Sequence, residues 1–76
     1  ISINTPILLY PNPVNSILNI DTDLHISKIE ICNTQGNLVK TSRQKNTSMD
    51  DLPSGMYFVK VIFDDNSLWI KKVIKE

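Results

Sequence analysis

The chain has 76 residues, enough for a single domain with a small core, since a domain of this size buries only about 60% of the surface its unfolded chain exposes. At 41% hydrophobic and 21% charged residues, the composition is that of a folded domain and excludes a disordered tail. Eight basic residues balance eight acidic ones, which excludes a strong overall field toward nucleic acid or an anionic membrane.

Cys32 is the only cysteine, so neither an internal disulfide nor a cysteine-based metal cluster can form. It reads as a small, partly buried hydrophobe. No apolar run approaches the ~20 residues that a membrane-crossing helix needs, so no direct membrane insertion is expected. The amino terminus lacks the basic-then-apolar pattern of a secretory signal. The chain starts at Ile1 instead of methionine, as expected of a piece of a longer protein.

Residues 1–7 read as a linker entering the first strand, and residues 8–76 as the domain proper. A short strand over Pro6 to Tyr10 is halted by Pro11, Asn12 and Pro13. Two prolines remove two backbone donors and fix two φ angles, so this segment should form a rigid corner outside any ladder, capped by the Asn12 side chain. Ser16 to Asp21 alternates, with Leu18 and Ile20 on one face. After a polar turn over Asp21 to His25, Ile26 to Asn33 places Ile29 and Ile31 inward and Lys28 and Glu30 outward. Thr34 to Asn37, with Gly36 supplying a positive φ, joins it as a hairpin to Leu38–Ser42. Thr47 to Asp50 is expected to be a short edge strand whose Met49 reaches the core.

Leu52 to Phe63 organises the chain. Pro53 and Gly55 stop what precedes, and Tyr57, Val59, Val61 and Phe63 then form one apolar row of a long central strand. Asp64 to Ser67 is a turn of residues that bond their own backbone. Leu68 to Lys75 is the last strand. Leu68, Ile70, Lys72 and Ile74 are expected to face inward because that set holds more aliphatic side chains, with the Lys72 ammonium at the rim. Seven short strands, antiparallel hairpins and no helical stripe predict an all-β fold, an immunoglobulin-like antiparallel β-sandwich, with an incomplete barrel as the competitor.

Groups for chemistry are few. His25, the only histidine, could join a nucleophilic relay only with Asp21 or Asp23 and a distant serine; solvated loops explain all three. Asp50, Asp51, Asp64 and Asp65 could hold calcium, which takes ~6–8 oxygen ligands, if their two turns met at one end of the sandwich. Gly36 lies in no phosphate loop, because no helix follows it. Trp69 and Tyr57 could form a sugar platform, or simply pack. Lys71, Lys72 and Lys75 form a small basic cluster near the carboxyl end. The reading is a non-enzymatic domain without a cofactor.

Four features coincide in order: Leu9 to Pro13 (LYPNP), Ile31 to Val39 (ICNTQGNLV), Met49 to Tyr57 (MDDLPSGMY) followed by Val59 and Val61, and Lys72 to Lys75 (KVIK). In this set the chain resembles the carboxyl-terminal sorting domain of type IX (Por) secretion, type A, over residues 8 to 76. The resemblance implies an immunoglobulin-like domain that directs an amino-terminal cargo domain through the outer-membrane translocon. It also implies removal by a surface sortase-like cysteine peptidase, in or before Ile1 to Pro6, with the cargo joined to an anionic lipopolysaccharide. Transit would run through the periplasm to the outer-membrane surface or the extracellular space. By position, Pro11, Asn12 and Pro13 form the first motif, Gly36 and Val39 belong to the second, and Leu52, Gly55 and Tyr57 to the third. Lys72, Val73, Ile74, Lys75 and Glu76 form the terminal motif. Asn33 stands where members commonly carry aspartate, and Asp65-Asn66 where they carry a glycine in the last hairpin.

Two other readings compete. A fibronectin-like or carbohydrate-binding module of an extracellular enzyme or adhesin would show an exposed aromatic patch or a calcium-linked loop. An intracellular catalytic domain would need a cleft that includes His25.

Overall fold

A computed structural model describes residues 7–76; the expected linker and the start of the strand at Pro6 lie largely outside that range. Seven strands follow in order: β1 (Leu8–Tyr10), β2 (Ile17–Asp21), β3 (Ile26–Asn33), β4 (Leu38–Ser42), β5 (Asn46–Ser48), β6 (Gly55–Phe63) and β7 (Leu68–Lys75). They form a three-stranded sheet in the order β1-β2-β5 and a four-stranded sheet in the order β4-β3-β6-β7, with antiparallel pairing throughout both. The expected β-sandwich is therefore present.

The period-two alternation sets the core. Leu18, Ile20, Ile29, Ile31, Tyr57, Val59, Val61 and Phe63 are buried between the sheets, joined by Val14, Met49, Leu52 and Val73. Met49 reaches the core as expected, one residue beyond the end of β5. Because β6 pairs with β3 on one side and β7 on the other, it is the spine of the larger sheet.

The last strand corrects the sequence reading. Val73 is fully buried and Lys75 nearly so, whereas Leu68, Ile70 and Ile74 are 54%, 52% and 44% exposed. The pairing with β6 decides this: Tyr57 faces Val73, Val61 faces Trp69 and Phe58 faces Lys72. Directly opposed residues share a face of the sheet, so the inward row of β6 carries Trp69 and Val73 inward with it. Counting aliphatic side chains on one strand cannot see that constraint. Lys72 consequently lies on the outer face and is exposed.

Local chemistry closes the turns. In the β3–β4 hairpin the Asn33 Oδ1 accepts from the backbone N–H of Gln35 and of Asn37, each at 3.0 Å, and Gly36 takes φ 85°. The contact expected of an aspartate at position 33 is thus made by the asparagine carbonyl. In the β6–β7 hairpin Asn66 takes φ 70°, a left-handed conformation that asparagine tolerates better than most side chains. The absence of a glycine there leaves the turn intact.

Candidate functional site

The motif residues, scattered from Pro11 to Glu76, gather at one end of the four-stranded sheet. Strand β3 ends where β6 begins, with Asn33 opposite Tyr57, so the turn carrying Gly36 lies at that end. Gly55 is paired with Lys75 and Tyr57 with Val73, which brings the end of β7 there as well. Val39 sits just beyond the same turn, in an irregularity of the β3–β4 ladder where Ile31 faces Lys40 but Cys32 faces Leu38.

Pro11, Asn12 and Pro13 complete this end. The segment leaves β1 in the smaller sheet and crosses to the outer edge of β7 in the larger one. Its Asn12 side chain does not cap its own corner, as the sequence suggested. Instead the Asn12 Oδ1 accepts from the Ile74 N–H at 3.0 Å, and its Nδ2 donates to the Lys72 carbonyl at 3.3 Å. The side-chain amide thereby imitates a strand residue, offering one donor and one acceptor. Two residues on, the Val14 N–H donates to the Ile74 carbonyl at 2.8 Å and the Glu76 N–H donates to the Val14 carbonyl at 2.9 Å. Val14 and Lys75 form a parallel bridge. Residues 12–14 are therefore a clamp on the terminal strand, anchored by the fully buried Val14 side chain.

The third motif supplies a corner. Leu52 is buried and its N–H donates to the Met49 carbonyl at 3.1 Å. Gly55 opens β6 at φ 153°, a region favoured by glycine. Tyr57 follows, 5% exposed, and its hydroxyl donates to the Pro53 carbonyl at 2.6 Å. This is the tyrosine corner of immunoglobulin-like domains, where a Tyr near the start of a strand bonds back to the chain a few residues upstream. Sequence reasoning assigned Tyr57 to the core row and missed the hydroxyl. The spacing of Pro53 and Tyr57, four residues apart across a glycine, was the available signal.

Lys75 points inward at the rim, its Nζ donating to the Glu76 carbonyl oxygen at 3.1 Å. Among the described residues the ion pairs are Lys28–Glu30, Lys40–Asp51 and Lys60–Glu30, so Lys71, Lys72 and Lys75 meet no acid. The Lys40 ammonium, 2.7 Å away, holds the Asp51 carboxyl below its ordinary value. The Ser67 hydroxyl and then its N–H, at 2.6 and 2.9 Å, do the same for Asp65.

Other candidates disperse. Asp50 and Asp51 precede β6 while Asp64 and Asp65 follow it, so the two acidic pairs are held apart by a nine-residue strand of roughly 30 Å; the calcium arrangement, which needed both loops at one end, is not formed. Trp69 faces inward and packs against the core, and Tyr57 is buried, so the proposed sugar platform does not exist. His25 is exposed, and its carbonyl accepts from the Asp64 N–H at 3.0 Å. It lines a shallow hollow with Leu24, Phe63, Asp64 and Asp65; neither Asp21 nor Asp23, the expected relay partners, is among the lining residues.

Residues 8–76 match the family model described as secretion system C-terminal sorting domain. No curated protein matches the chain.

Proposed function

We propose how this chain, which belongs to the secretion system C-terminal sorting domains of type IX (Por) secretion, carries its address. The chain is a C-terminal sorting signal for that system, and the signal directs export of an attached amino-terminal cargo across the outer membrane to the cell surface or beyond. The finer reading is that the translocon recognises the end of the sheet where β7, the clamp of residues 12–14 and the tyrosine corner meet. The domain crosses the periplasm folded and is then removed by a sortase-like cysteine peptidase cutting in or before Ile1 to Pro6. Catalysis belongs to that machinery, and this domain acts as the label.

One observation supports this most: the first and third motifs converge on the terminal strand, the third by backbone pairing of Gly55 and Tyr57 with Lys75 and Val73 and the first by the Asn12 amide, while the Gly36 turn of the second lies at the same end of the sheet. A label needs no cleft, only a surface of defined geometry. The test deletes Val73 to Glu76 from a full-length cargo, or replaces Tyr57 with alanine. Cargo is expected to accumulate in the periplasm; full surface display of either variant overturns the reading. Because Val73 and Tyr57 are also core residues, Lys72→Glu, on the exposed outer face, separates recognition from folding, and it too should lower display.

A further inference from the structure

The outer edge of β7 is divided in two. Backbone groups of residues 72, 74 and 76 that point away from β6 are taken by Asn12 and Val14. Along a strand the amide and carbonyl of alternate residues point the same way, so the N–H and C=O of Ile70, and the N–H of Lys72, also point outward. No described residue hydrogen-bonds to them. This stretch carries no proline and no bulge, and its Leu68 and Ile70 side chains are more than half exposed. The remaining sheet edges are poorer templates: β1 and β5 have three residues each, and the β4 pairing is broken by the irregularity near Val39.

We infer that the open half of this edge, Leu68 to Lys72, is an interaction surface for an extended peptide strand. Apolar side chains of that strand lie beside Leu68 and Ile70, and an acidic one beside Lys71. Three observations select this occupant. The vacant donors and acceptor are those that strand addition satisfies. The surface continues a pairing that Asn12 and Val14 already make along the same edge. Lys71 and Lys72 have no acidic partner among the described residues, so they attract a carboxylate. A second copy of β7 would bring further lysines and no carboxylate to this edge, and edge lysines are a device that blocks such self-pairing. The inference rests on the sorting reading above and assigns the strand to the export machinery.

Ile70→Pro tests it. Proline is tolerated on an edge strand where its missing N–H would face outward, and the β6–β7 ladder uses the other set of β7 amides. In a full-length cargo, Ile70→Pro should reduce surface display at least about tenfold while the purified domain keeps the parent's circular dichroism and Trp69 emission. Undiminished display of Ile70→Pro, alongside blocked display of the Val73–Glu76 deletion, overturns the edge inference and leaves sorting intact. Undiminished display of both overturns sorting as well. A second measurement does not depend on that variant folding. A capped hexapeptide alternating valine and glutamate, at ten times its dissociation constant, should slow hydrogen exchange of the Ile70 and Lys72 amides about tenfold. Unchanged exchange at those two amides, or protection confined to β1, β4 or β5, overturns the inference.

Discussion

Removing one oxygen from Tyr57 isolates the tyrosine corner from the core. In Tyr57→Phe the ring stays, 5% exposed, and only the 2.6 Å bond to the Pro53 carbonyl is lost. A hydrogen bond of this kind contributes about 0.5–1.5 kcal/mol net, and leaving a partly buried carbonyl without its partner adds toward the upper end. A loss of about 1.5 kcal/mol corresponds, in a domain of 60–100 residues, to a fall of roughly 6–12 °C in the melting temperature. Tyr57→Ala removes the ring as well, costing about 3–5 kcal/mol, which is much of the stability expected of so small a domain. Urea unfolding followed by Trp69 emission measures both, since Trp69 packs on the core. If Tyr57→Phe unfolds within about 0.3 kcal/mol of the parent, well under a typical hydrogen bond, the corner contributes nothing and the argument fails. Export adds a second readout: Tyr57→Phe should be displayed and Tyr57→Ala retained, because the buried hydroxyl donates to the Pro53 carbonyl and serves the fold.

The reversed face of β7 makes a paired prediction. Val73→Ala should cost about 2 kcal/mol, from two lost methyl groups and the void they leave. Ile74→Ala, one residue along and 44% exposed, should stay within about 0.5 kcal/mol of the parent; equal losses would restore the opposite orientation. For acid stability, Asp51 and Asp65 are both lowered from 3.8 in the folded domain. Depressed carboxyl values add stability above the unfolded value, and that stability is lost as pH falls through the folded one. The melting temperature should therefore decline as pH drops below about 4. The decline should be shallow, since both groups are exposed, and shallower still in Asp65→Asn. An unaltered acid slope in that variant would show that the Ser67 contacts do not matter.

Period-two patterns made β2, β3 and β6 legible, because each has one apolar row and a polar or mixed opposite row, whereas β4, which has no apolar row, was legible from the Gly36 turn before it. Strand β7 has aliphatic residues on both faces, and the choice between them belongs to the register with β6, which no single strand contains. Cys32, Phe58 and Ile70 stay on an outer face that is more apolar than alternation would suggest. The role of Asn12 was invisible for another reason. Its partners lie 60 and 62 residues away, and a short amide beside prolines satisfies every local rule for a turn cap. The hydroxyl of Tyr57 was hidden by the apolar alternation of its own strand, which accounts for the residue without it. Gathering four motifs at one end is likewise a property of strand order, although their sequence order was already enough to suggest a sorting domain.

The clamp also has a mechanical meaning. Residues 12–14 run parallel to the end of β7, one leading back toward the cargo and the other toward the carboxyl terminus. If the tail is gripped while the cargo lags behind, the two segments are drawn past each other lengthwise. The Asn12 and Val14 bonds then share the load together instead of parting one at a time, so the label resists tension applied lengthwise between its two ends.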